Sequence, residues 1–218
     1  AVPGVIGSFV TANGTAALRM NAAVTVSLTG ITVGPIAGQP AGTSAIIASG
    51  GASLTLEACT VAGATNSGVS VGGSGTVARI VDTTLRGNAI GISVSNGAKV
   101  VVAKSRLLGN TTGMSIVSTQ ASIVTTATVG DTVVSGGTTG ISTQSVLFSG
   151  AEVRVVANGV TIENVNGPAL QVFADGAGAI GTVVLGRSTL TANATVLALN
   201  ANNGATATAL SLGDNAIE

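Results

Sequence analysis

Histidine, tryptophan and tyrosine are absent from this chain of 218 residues, cysteine occurs once, and charged residues make up only 7% of it. Each absence closes a line of chemistry. Without histidine there is no His-dependent catalytic triad and no common imidazole metal site. Without Trp or Tyr the usual stacking platforms for sugar rings are missing. The single Cys59 can form neither an internal disulfide nor a thiolate metal site; among small and apolar neighbours it reads as a packed core thiol. Eight basic and eight acidic residues give zero net charge and read as thinly spread. No basic patch is evident to follow a phosphate backbone, so nucleic acid is not an expected partner. Long hydrophobic runs are lacking too: Gly, Ser, Thr and Asn interrupt every apolar stretch before 18 residues, which excludes a spanning helix. Three Phe are too few for the aromatic girdles of a lipid-facing barrel.

What is present is glycine, at 32 residues, and a hydrophobic fraction of 45% rich in Val, Ile and Leu at strand spacing. The chain also repeats itself. Gly87-Asn88-Ala89-Ile90-Gly91-Ile92-Ser93-Val94 is answered by Gly109-Asn110-Thr111-Thr112-Gly113-Met114-Ser115-Ile116. Upstream, Ile80 to Leu85 is answered by Val102 to Leu107. A step of about 22 residues lies in the range of solenoid repeats, and neither unit can close a core alone. Successive units must stack. The expected fold is all-β: a single-stranded parallel β-helix of about seven to eight coils, on the order of 35–40 Å long at the spacing of β-strands.

One domain over residues 1–218 is expected, with residues 1–20 as an irregular first coil and a loop insertion at 34–43, marked by Pro35 and Pro40. Ala23 to Val33 reads as one alternating strand. Regular coils follow from Gly51, and Ala209 to Leu212 opens a partial last coil. Register stacking turns repeated residues into columns. Asn88 over Asn110 predicts an amide ladder at a turn. Asp82, Lys104 and Asp131 predict an alternating-sign stack that disfavours register slips. Cys59, Thr83, Ser105 and Thr132 predict a tight inward column, and Val61, Leu85 and Leu107 the core. Gly87, Gly91, Gly109, Gly113 and Gly140 are expected to supply turns with positive φ.

The unit built of a strand, a Gly-Asn turn, Gly-Ile/Met and Ser-Val/Ile resembles the right-handed parallel β-helix repeats of the pectate-lyase-like superfamily, as found in bacterial exported β-helix proteins. The resemblance covers nearly the whole chain, to Gly213-Asp214-Asn215-Ala216-Ile217. Members usually carry an amphipathic helix over the N-terminal end of the solenoid, and no such pattern stands here. The enzymes of that superfamily act on acidic polysaccharides. Its lyases need clustered carboxylates for Ca²⁺ with an Arg or Lys base, and its hydrolases need convergent Asp residues. Only Asp82 and Asp131 share a column here. Two coils separate them, roughly 9–10 Å at strand spacing, with Lys104 between. A neutralising stack is the simpler reading.

No catalytic, cofactor or metal residues are therefore assigned, and no enzymatic activity is expected. Gly72-Gly73-Ser74-Gly75 lacks the Lys-Ser/Thr and the helix of a phosphate loop. The Asn-x-Thr patterns at Asn13, Asn110 and Asn193 read as turns. Thr126-Ala127-Thr128 and Thr206-Ala207-Thr208 do not recur in the coils between them, which argues against an ice-binding ladder. The start at Ala1 fits a mature exported chain. The expected role is an extracellular or cell-surface structural protein, its open end coils stacking head-to-tail with other copies into a filament or layer. A monomeric adhesion or glycan-binding module, using the 34–43 loop and the lateral face, is the alternative. A polysaccharide-active enzyme ranks behind both.

Overall fold

The computed structural model describes residues 8–10, 16–35 and 41–218. Within them the chain winds through three parallel sheets in which every third strand is a neighbour. Sheet A, led by Ser8–Val10, has nine strands, most of them three residues long; sheet B, led by Leu18–Met20, and sheet C, led by Thr25–Thr29, have eight each. A coil runs through B, turns into C, rounds a corner into A, and rounds another corner back to B. Every pairing is parallel, as in Ile92 on Met114 and Val100 on Ala127. This is the expected β-helix. No helix occurs among the described residues, and none there could cross a membrane.

The two corners flanking sheet A explain its short strands. Most are made by one residue in the left-handed region, with two at Gly136–Gly137 and at Gly213–Asp214. Between C and A that residue is Gly30, Ala58, Asp82, Lys104, Asp131, Gly159 or Arg187 in successive coils, with φ of 46–69°. Between A and B it is Gly63, Gly87, Gly109, Gly136, Asn164 or Ala192, with φ of 53–74°. A single positive φ swings the chain sharply while the peptide planes before and after stay in register with the coil below. Side chains pay roughly 1 kcal/mol or more for this conformation. Lys104 and Arg187 hold it because paired strands on both sides leave no other path.

Two expectations need correction here. Ala23 to Val33 is not one strand. Thr25–Thr29 belongs to sheet C and Thr32–Gly34 to sheet A, broken at Gly30, whose φ is 67°. Apolar alternation continues across such a corner, so periodicity alone cannot see it. Of the five glycines assigned to turns, only Gly87 and Gly109 have positive φ. Gly91, Gly113 and Gly140 lie within sheet B strands and face inward, next to a second inward residue. A Cβ on Gly91 would stand 2.6 Å from the Gly113 carbonyl oxygen, and one on Gly113 the same distance from that of Gly140. Those glycines are there for close approach: at these three positions the carbonyl of the next coil stands where a Cβ would lie, whereas the same column carries Ala169 and Val196 in later coils.

The interior is a stack of aliphatic layers. Val61, Leu85, Leu107, Val134, Ile162 and Leu190 form the sheet A column, all buried. Five of the 34–43 loop residues, 36–40, and much of the first coil lie outside the described residues.

Candidate functional site

The polar groups inside the solenoid form two ladders. At the A-to-B corner, buried Asn88 donates through Nδ2 to Asn110 Oδ1 at 2.9 Å, and Asn110 Oδ1 also accepts the Asn88 backbone N–H at 3.0 Å. Asn110 Nδ2 donates to the Leu85 carbonyl at 2.9 Å. The next coil puts Gly137 in this place, and the arrangement resumes where Asn193 Oδ1 accepts the Val165 N–H at 3.1 Å. Asn110 is 1% exposed, so its Asn-x-Thr pattern offers no accessible amide. Asn13 lies outside the described residues.

The second ladder follows the C-to-A corner, one residue after the left-handed position. Thr83, Ser105, Thr132 and Ser188 each donate a hydroxyl to the carbonyl two residues back, at 2.8–2.9 Å. Each hydroxyl oxygen accepts the N–H of the equivalent residue in the preceding coil, as Ser105 Oγ does from Thr83 at 3.2 Å. Cys59 stands in the same column, buried, its Sγ 3.2 Å from the Glu57 carbonyl. The left-handed corner takes these N–H groups out of the sheet ladder, and the next coil's hydroxyl supplies the acceptor a buried donor needs. Both ladders are structural. Every buried side-chain N and O among the described residues has a partner.

The ionisable groups stay outside. Asp82, Lys104 and Asp131 do form one column, stacked corner over corner and exposed. No ion pair joins them within 4.0 Å; among the described residues that contact occurs only between Arg154 and Glu152 on sheet C. There the Glu152 carboxylate accepts the Arg154 Nε–H and, with its charge alongside, raises the guanidinium pKa. No three His, Cys, Asp or Glu among the described residues gather closely enough to hold a metal ion. The surface hollows are shallow. One dish of about 370 Å³ lies at the B-to-C turns beside Lys99, between Ser74 and Val124. Another, near 440 Å³, is lined by Thr32, Pro35, Ala62 and Arg86 next to the 34–43 loop.

Two further features stand out, one along the chain and one only in the folded molecule. The first is the distribution of charge. Five of the eight basic residues, Arg79, Arg86, Lys99, Lys104 and Arg106, fall in two adjacent coils, whereas six of the eight acids lie from Asp131 onward. The second is the last coil. Leu197, Leu199 and Ile217 occupy inward positions, paired with Leu170, Val172 and Leu190, yet are 39%, 46% and 52% exposed. With neighbours, Leu197 and Ile217 rim an apolar hollow of about 90 Å³. At the other end Ala17, Leu18, Leu28, Ile31 and Val33 line a hollow of about 80 Å³.

A family model described as "Right handed beta helix region" matches residues 16–211. The chain belongs to this right-handed β-helix family. The matched span runs from the Leu18–Met20 strand to the Thr206–Ser211 strand, so the winding sense expected from the pectate-lyase-like resemblance holds. No curated protein and no solved structure matches the chain. Right-handed β-helices serve as enzymes and as non-enzymes, so the fold leaves function to the site itself.

Proposed function

We propose that this right-handed β-helix is a non-catalytic structural protein of the cell exterior whose last coil stacks on the first coil of another copy, building a filament or layer. The observation that carries the reading is the last coil. Its inward Leu197, Leu199 and Ile217 are exposed, and three strand edges (Thr195–Asn202, Thr206–Ser211 and Ala216–Ile217) end the three sheets side by side. Unpaired strand edges are templates for further pairing. A partner that pairs with all three at once must present three parallel edges in the same triangular outline. The outer edges of Leu18–Met20 and Thr25–Thr29, with Ser8–Val10 leading sheet A, have that layout on the opposite end. Contact between two different ends does not close on itself and propagates.

A catalytic role finds little support in the geometry. Asp82 and Asp131 stand on an exposed corner with Lys104 between them, and among the described residues no three carboxylates gather closely enough to hold a metal ion.

Electron microscopy of the purified chain at rising concentration tests the reading. Rods several times the length of one chain are expected. Leu197→Lys with Leu199→Lys should leave the circular dichroism spectrum unchanged, because both side chains are already half exposed, and should shorten the rods to single subunits. Short rods for the parent chain at every concentration would sink the proposal.

A further inference from the structure

The division of charge along the solenoid has a geometric consequence on sheet A. Its strands from Thr84–Arg86 to Thr161–Glu163 are three residues long, so only the first and third residues of each face outward, in two columns. The third-residue column runs Arg86, Leu108, Ser135, Glu163 over four successive coils. The first-residue column runs Thr84, Arg106, Val133, Thr161. Along one rim lie the corner residues Asp82, Lys104, Asp131 and Gly159; along the other, Gly87, Gly109 and Gly136 leave the face low and open. Arg86, Lys104, Asp131 and Glu163 make no side-chain hydrogen bond or ion pair with any described residue.

Cation and anion stand at equal distances from one line, the line between the Arg106–Leu108 and Val133–Ser135 strands. Lys104 is half a coil to one side and Asp131 half a coil to the other. Arg86 and Glu163 are each one and a half coils away, roughly 7 Å at strand spacing. A two-fold axis along that line lays one sheet A on another with the rods antiparallel and each column facing itself. It sets Lys104 against Asp131 of the second copy and Arg86 against its Glu163, each contact made twice by symmetry. Thr84 then faces Thr161, Arg106 faces Val133 with Asp131 of the second copy beside it, and Asp82 faces Gly159. No like charges meet.

We infer that two copies pair side by side, antiparallel, through sheet A about this axis. The occupant is a second copy because the acids that match these cations occupy the same columns of the same chain. A linear polyanion needs a row of cations, and here Asp82 and Asp131 flank Lys104 in its column. The face is narrow, far below the roughly 800 Å² per partner of a stable dimer, so the pair is weak and sensitive to salt. It is independent of end-to-end stacking, which uses a different surface.

Sedimentation velocity over a concentration series tests the inference, in the Leu197→Lys, Leu199→Lys background so that stacking does not intrude. The expected result is a monomer–dimer equilibrium at low ionic strength that weakens at least about tenfold near 0.5 M salt, where screening lengths fall to a few ångströms. Arg86→Glu alone and Glu163→Arg alone should each abolish the dimer, since each creates like-charge contacts in both symmetric pairs. The double exchange Arg86→Glu with Glu163→Arg should restore it to within about threefold of the parent constant, as a swapped pair keeps its attraction. Monomer under all conditions, dimerisation by the single variants, or failure of the double exchange to recover it would overturn the proposal. So would binding of a sulfated polymer lost in Arg86→Glu without any self-association.

Discussion

The strands Pro168–Asp175 and Thr195–Asn202 lie side by side in sheet B and carry the same alternation, yet one is core and the other surface. Leu170 and Val172 are 3% and 0% exposed; Leu197 and Leu199, directly over them, are 39% and 46% exposed. Side-chain direction is the same in both. What differs is that among the described residues a further coil lies over Pro168–Asp175 and none over Thr195–Asn202. In a solenoid each coil is buried by its neighbours on two sides, so an inward position is only half of burial and the rest comes from the next coil. Energies should fall accordingly from the middle coils to the last.

The largest contrast is expected in the glycine column of sheet B. Gly113→Val puts a side chain against the Gly140 carbonyl and the Val134 side chain between two fixed coils. It should cost about 3 kcal/mol or more, or prevent folding. Val196→Ala, in the same column of the last coil, should cost under about 1 kcal/mol, since that site is already only partly covered. Equal effects in chemical denaturation would break the comparison.

Next come the leucines. Leu107→Ala removes a fully packed side chain and should cost about 2–5 kcal/mol, whereas Ile217→Ala at the end of the same sheet should cost about 1 kcal/mol or less. The amide ladder should follow the same order. Asn110→Ala strands the buried Asn88 N–H and should cost about 2–3 kcal/mol. Asn193→Ala, half-buried near the last coil, should cost about 1 kcal/mol. Thermal or denaturant midpoints of the two variants decide this.

The smallest effects sharpen the role of the corners. Lys104→Gly relieves a positive φ at an exposed position and should stabilise by about 0.5–1 kcal/mol. Gly109→Ala, on the facing corner with nothing within 4 Å of the new Cβ, introduces only the conformational strain and should destabilise by about 1 kcal/mol. A destabilised Lys104→Gly would mean that the side chain contributes more to the stack than its backbone strain costs.

How far the chain could be read from its residues depends on the distance over which each signal acts. The repeat at Gly87–Val94 and Gly109–Ile116 announces stacked coils, and in-register stacking brings Asn88 onto Asn110 and Leu85 onto Leu107 as expected. The small column from Cys59 to Thr132 is recognisable as small and inward. Its hydrogen bonds are not, because they depend on a corner that turns each N–H toward the coil above. The corner at Gly30 is hidden in unbroken alternation. Gly91, Gly113 and Gly140 look like turn glycines, since a residue left without Cβ for want of space and one left without Cβ for φ are spelled alike.

Charge makes the same point at larger scale. Counted along the chain, eight basic and eight acidic residues look dilute and mixed. Taken by position they already divide into a basic middle and an acidic far half; winding adds that Arg86 and Glu163 fall in one column of sheet A and Lys104 and Asp131 in one corner column.

Local repetition and apolar spacing were enough to dictate an all-β solenoid and its core columns, because those depend on each residue's own pattern and on its copy one coil away. Where the chain turns, which glycines make room, which charges face one another and which inward leucines stay wet were decided only by tertiary structure. Each of those properties belongs to a pair of coils, and the coil that completes it is absent from any single stretch of sequence.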